Sequence, residues 1–270
     1  MLGPWRFDAL AIASAGLALA AYAAGVARLR RLGRPSWPAM RTLWFVTGVL
    51  LGLAAIESPL DAAAERAFAP HMLQHLLLTM IVAPLLLCGA PLLLFLAAMP
   101  TRVARRAVAL LRGPVGHALA FPPLTWCVFV ATLWLTHFSG LFEAALESES
   151  VHVFEHALYL GAALLFWFPI VAIGPTPWST REFAYPLRMV YLLLAMPAQV
   201  ALGFAIYADR HVLYAHYAAG GLADQRNAGE LMWVGGSLVA LVPFLLVGAA
   251  WARSEERAAL RADAAASQSS

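Results

Sequence analysis

The stretch HMLQHLLLTMIVAPLLLCGAPLLLFLAA, residues 71–98, contains no Asp, Glu, Lys or Arg. It is longer than the roughly 20 apolar residues with which an α-helix crosses about 30 Å of hydrocarbon. In lipid a helix is favoured because it satisfies its backbone N–H and C=O groups within the segment itself. Pro84, Gly89 and Pro91 fall inside the run, so the sequence predicts a helix over 70–98 that is kinked or broken there, with neighbours taking up the freed backbone groups.

Working outward from this run, six further apolar stretches occur at 7–27, 40–57, 118–137, 151–173, 187–208 and 229–251, making seven spans. The composition agrees: 62% of residues are hydrophobic and 12% charged, against about half and about a quarter in soluble domains. None of the runs has the alternating pattern of a barrel strand. The expected fold is therefore an all-α integral membrane protein, a seven-transmembrane-helix bundle. Residues 1–252 form a single membrane domain, followed at 253–270 by a short cytoplasmic tail, rich in Ala and Ser, that fades from helix into irregular chain.

All eighteen basic residues are arginines, so the positive-inside rule can be applied by counting. Arg28, Arg30, Arg31, Arg34 and Arg41 follow the first span, and Arg102, Arg105, Arg106 and Arg112 the third. Arg181 and Arg188 follow the fifth, and Arg253, Arg257 and Arg261 the seventh. The opposite face keeps only Arg6, Arg66, Arg210 and Arg226, mixed with acids such as Glu57, Asp61, Glu65, Glu143 and Asp224. The N-terminus is accordingly expected outside and the C-terminus in the cytoplasm. A secretory signal peptide is the rival reading of the first 27 residues, but its positive charges would precede the apolar run, whereas RLRRLGR follows it. Topology and contact with anionic lipid account for the net charge of +3, so nucleic acid is not an expected partner. Cys88 and Cys127 both fall within spans and read as small buried hydrophobes.

On the topology set by the arginines, seven of the eight histidines share the outer face: His71, His75, His137, His152, His156, His211 and His216, with His117 alone on the other side. HMLQH (71–75) and HVFEH (152–156) each place two imidazoles at i and i+4. That spacing puts Cβ atoms about 5–6 Å apart on one helix face, within reach of one metal ion. Both pairs open spans that run inward, so they can meet at matching depth. A lone membrane histidine such as His137 more commonly bonds a neighbouring helix. Two pairs on one side favour a metal site. Imidazole suits copper, zinc and iron; Met72, Met80 and Met232 lie on the same face, and thioether would tilt the preference toward Cu(I), although each methionine singly fits ordinary packing. Gln74 and Glu155 each precede the second histidine of a pair and could orient a ligating ring on another helix. HVFEH also matches the His-x-x-Glu-His arrangement of inverted zinc peptidases, but no third ligand is recognisable. Bis-histidine haem would use one axial histidine per helix, which leaves a surplus.

The stretches SPLD (58–61), HMLQHLLLTMIVAPLLLCGAP (71–91), THFSGLFEAAL (136–146), HVFEHALYLGAALLFWFP (152–169) and DQRNAGELMWVGG (224–236) together resemble the CtaG family of seven-span cytochrome c oxidase assembly proteins, the caa-type. The resemblance implies a multi-pass protein of the bacterial plasma membrane that handles copper for the haem-copper oxidase. Its expected partners are the oxidase catalytic subunit, a periplasmic copper donor and the lipid bilayer. Copper would be held by His71, His75, His152 and His156, with His137, Asp61 and Asp224 as further candidates, and exchanged without catalytic turnover. A membrane haem protein, a zinc-dependent enzyme and a copper transporter are the alternatives. Beyond Cys88, Cys127 and Met80 the inner half offers few ligands, which favours presentation of metal over passage.

Overall fold

The computed structural model describes residues 5, 7–171, 173–174 and 183–269. Arg6 and Arg181, counted in the charge bias, lie outside the described residues. The described chain is helical throughout, without strands. α1 (Ala9–Arg31) begins at Asp8, whose carboxylate accepts the Leu10 N–H at 2.9 Å, while the Asp8 N–H donates to Glu57 at 2.8 Å. α2 (Ala39–Glu57) passes directly into the short α3 (Pro59–Ala64), capped by the Ser58 hydroxyl.

The decisive run is one interrupted span. It comprises α4 (Phe68–Leu77), a π-helical turn (Leu78–Val82), α5 (Ala83–Cys88) and α6 (Pro91–Ala98). The break falls where Pro91 supplies no N–H: Ala90 sits at φ 51° and Gly89 is pressed against Phe45, where an added Cβ would stand 2.6 Å from the Phe45 Cβ. The Gly89 carbonyl is taken by the Tyr22 hydroxyl at 2.7 Å. At the π turn, Trp167 Nε1–H donates to the Thr79 carbonyl at 2.8 Å. Neighbouring helices thus satisfy the interrupted backbone, as hydrocarbon requires.

α7 (Thr101–Leu111) and α8 (Pro114–Leu119) lead to α9 (Pro122–Phe138), which turns by 69° into α10 (Gly140–Glu147), capped by Ser139. α11 (Glu149–Val171), α12 (Tyr185–Ala208), α13 (Gly221–Glu230), a second π turn (Leu231–Gly235) and α14 (Gly236–Ser269) complete the chain. Among the described residues six helical stretches are long and apolar enough to cross a membrane, or seven if α9 and α10 are one bent span. The last span starts at Gly221, eight residues before its expected start at 229. The tail at 253–269, expected to fade into irregular chain, continues α14 as helix. Its alanines, glutamates and arginines are strong helix formers that need no packing to favour helix.

Successive spans alternate in direction. Glu57, Asp61, Glu65, His71, Glu147, His152 and His216 line one cavity at one end, whereas Arg28 bonds the Ala98 carbonyl at the other. The main core runs the length of the bundle, from Phe68, Met72, Phe142, Tyr159, Tyr214 and Tyr217 at the first of these ends to Ile170, Phe183 and Tyr191 toward the other.

Candidate metal centre

The span that opens with α4 packs along α11 through its π turn and α5, and the histidine pairs of α4 and α11 meet ring to ring. The His71 ring lies 4.4 Å from His75, 5.4 Å from His152 and 6.5 Å from His156, centroid to centroid, and His75 lies 5.5 Å from His156. The structure therefore brings together the four histidines that the two motifs single out. It adds a fifth residue. Glu155, fully buried, sets Oε2 3.9 Å from His71 Nε2 and 3.8 Å from His75 Nε2. Because 152, 155 and 156 are spaced i, i+3, i+4, this carboxylate shares the inward face with both histidines of its own helix. Donor atoms of His71, His152 and Glu155 all lie within 4.8 Å of one another.

The cluster is polar yet poor in hydrogen bonds. His71 Nε2, both nitrogens of His75, His156 Nε2 and both oxygens of Glu155 are buried without a hydrogen-bond partner. Native proteins rarely leave such groups unsatisfied, and burying them without compensation costs free energy. Imidazole nitrogens and a carboxylate converging from two helices are a donor set that a transition-metal cation would satisfy.

One proton in the cluster can be placed. The Tyr217 hydroxyl donates to the Ala64 carbonyl at 2.7 Å and lies 3.0 Å from His71 Nδ1. Burial raises the Tyr217 pKa above the usual tyrosine range, so the hydroxyl keeps its single proton. With that proton spent on Ala64, the hydroxyl oxygen accepts from His71 Nδ1–H. The Nε2 lone pair of a neutral His71 is thereby aimed at Glu155, the arrangement that ligating histidines commonly show.

The remaining expected residues make other contacts. His137, buried on α9, lies 6.5 Å from His75 at the edge of the group and contacts Met72. Asp61 accepts from Gln74 Nε2 at 3.0 Å and lines the cavity over the cluster. Asp224, on α13, accepts the N–H groups of Phe68 and Ala69 at 2.6 and 3.2 Å, and so caps the first turn of α4 from across the bundle. His216 binds the Glu65 carbonyl at 2.8 Å at the cavity rim, and His211 is exposed beside Asp209. Met80 and Met232 are buried in the core.

The cavity above the cluster encloses about 840 Å³ and reaches His71, His152 and His156. Among the described residues its wall carries Asp8, Glu57, Asp61, Glu65, Glu147 and Glu149 against the guanidinium of Arg66. Clefts lined by one sign of charge concentrate ions of the opposite sign. The sequence reading placed Glu155 beside the histidines as an orienting partner for a ring on another helix, without grouping it with the donors, and gave Tyr217 no part. Helical spacing could have revealed the first; the second joins the cluster from 146 residues away.

Residues 20–254 match the family model described as cytochrome c oxidase caa3 assembly factor. The chain is also similar to an uncharacterized protein of Mycobacterium bovis, 30% identical over 279 residues, and to one of Mycobacterium leprae, 27% identical over 274 residues. These alignments cover 97% and 96% of this chain and 42% and 41% of the relatives, so the chain spans about two-fifths of their length. No solved structure matches.

Proposed function

The chain belongs to the cytochrome c oxidase caa3 assembly factor family, and from that premise we propose that it collects copper at the four-histidine and Glu155 cluster and supports its insertion into the oxidase. The carrying observation is the convergence of buried, unpartnered nitrogen and oxygen atoms from α4 and α11. Copper is the cargo, and it enters through the acidic cavity, which in this reading faces the outer side of the plasma membrane. A donor to a buried copper centre must present metal below the lipid headgroups, and rings one turn into a helix meet that need. The role calls for binding and exchange, with no turnover. The partners are a periplasmic copper donor and the oxidase catalytic subunit. Histidines without a preponderance of thiolates leave the affinity for copper open to exchange, because soft sulfur ligands are the ones that hold Cu(I) most selectively.

Elemental analysis of the purified protein tests this. The wild-type chain is expected to carry copper and the combined His71→Ala, His75→Ala, His152→Ala and His156→Ala variant to lack it. Equal copper in both rejects the assignment. In cells, the same variant should leave the oxidase protein present but short of copper.

A further inference from the structure

His75 borders a second cavity as well as the cluster. It encloses about 20 Å³, room for a single water or ion, and its wall includes Met72, Thr79, His137, Tyr159 and Met232. The protons around it can be followed one by one. Thr136 Oγ1–H donates to the Thr132 carbonyl at 2.7 Å, so Thr136 accepts from the Tyr159 hydroxyl at 2.5 Å. His137 Nδ1 lies 2.7 Å from the Leu133 carbonyl, which can only accept, and 3.1 Å from the Tyr159 oxygen, whose own proton is already spent. The single proton of a neutral His137 therefore sits on Nδ1. Its Nε2 lone pair faces Met72 Sδ at 3.3 Å, and a thioether has no proton to offer. Two lone-pair donors thus point at each other in a buried pocket.

We propose that Met72 Sδ and His137 Nε2 form a second binding site for a soft monovalent cation, Cu(I) in the cell, separate from the four-histidine cluster and joined to it by His75. Thioether sulfur with imidazole is a pairing that favours Cu(I) over harder ions. His75 is the only residue that borders this cavity and also stands in the cluster, with Nε2 3.8 Å from Glu155 and its ring 6.5 Å from that of His137. The metal then has two stations within the bundle, one open to the acidic cavity and one enclosed. This site rests on the copper-handling reading for the identity of its ion.

The test uses the full chain in detergent, titrated anaerobically with Cu(I) against a colorimetric chelator and, separately, with Ag(I) as a redox-inert probe. Met72→Leu conserves volume and is tolerated in most cores. It should lose one equivalent of either ion, keep the remainder, and lose a sulfur scatterer seen by X-ray absorption in the copper-loaded wild type. His137→Gln should lose the same equivalent without the cluster being touched. Unchanged stoichiometry in both variants, with nitrogen and oxygen scatterers alone in the wild type, overturns the second site while leaving the cluster assignment standing. A wild-type chain that binds neither ion overturns both.

Discussion

Tyr217 and Glu155 act on the cluster in different ways. Tyr217→Phe removes the oxygen that accepts from His71 Nδ1–H and frees that ring to rotate or to place its proton on Nε2. Loss of such an orienting partner commonly weakens metal binding by about 10–100-fold. The same change removes the bond to Ala64, costing about 1 kcal/mol of stability. Chelator competition should therefore register a large affinity loss in a protein that still folds; unchanged affinity would make Tyr217 a packing residue. Glu155→Gln keeps the shape of the side chain and removes its charge. Copper raises the stability of the folded chain by mass action wherever it binds the native state alone. The variant should show a smaller copper-induced rise in Tm than the wild type. Part of this was legible in the sequence: HVFEH places Glu155 on the face of its two histidines by spacing alone. The Tyr217 contact was not, because it depends on how the α12–α13 connection folds back over α4.

At the scale of elements, helical spans follow from apolar length, while their ends and breaks depend on partners remote in sequence. The first turn of α4 has no cap from its own residues: Ala67 precedes it and makes no side-chain bond. Asp224 supplies the cap from α13, across 156 residues. The family resemblance suggests Asp224 as a metal candidate; its two oxygens instead meet the backbone N–H groups that hold His71 and His75 in place. Asp224→Ala should cost about 0.5–2 kcal/mol, as loss of a helix cap does. It should lower Tm and weaken copper binding together, whereas a direct ligand would lower copper binding with little change in the metal-free Tm. A second dependence joins α12 to the last span. A Cβ on Gly203 would lie 2.6 Å from the Trp233 N–H nitrogen, and one on Gly229 would lie 2.6 Å from the Gly203 carbonyl oxygen. Small residues let membrane helices approach this closely. Gly229→Leu should force α12 and α13 apart and drop Tm sharply, with Gly161→Ala, whose Cβ meets open space, as the silent control. No local feature of the sequence marks Gly203 and Gly229 as partners, since the pairing belongs to the packing of separate spans.

Across the whole molecule, polarity divides by end. Leu17, Leu238, Leu245 and Leu246 are among the large side chains left exposed along the spans, a surface that suits lipid. One end gathers the histidines and acids around the larger cavity. The opposite end carries α7, which buries none of its residues and is strongly amphipathic, with Arg102, Arg105 and Arg106 on one face and Val103 and Leu110 exposed on another. A short helix of that kind suits the plane of the headgroups, its arginines near anionic lipid. Both features were readable from charge counting, and the alternation of the spans places them at opposite ends as the count requires. The count further predicts that the histidine end faces outward, and accessibility can decide it. In a background of Cys88→Ala and Cys127→Ala, a membrane-impermeant maleimide applied to intact cells should label Ser150→Cys, which lies exposed near the start of α11. Arg105→Cys, exposed on α7, should react only after the membrane is opened. The reverse pattern would turn the acidic cavity toward the cytoplasm, and the copper would then have to arrive from within the cell.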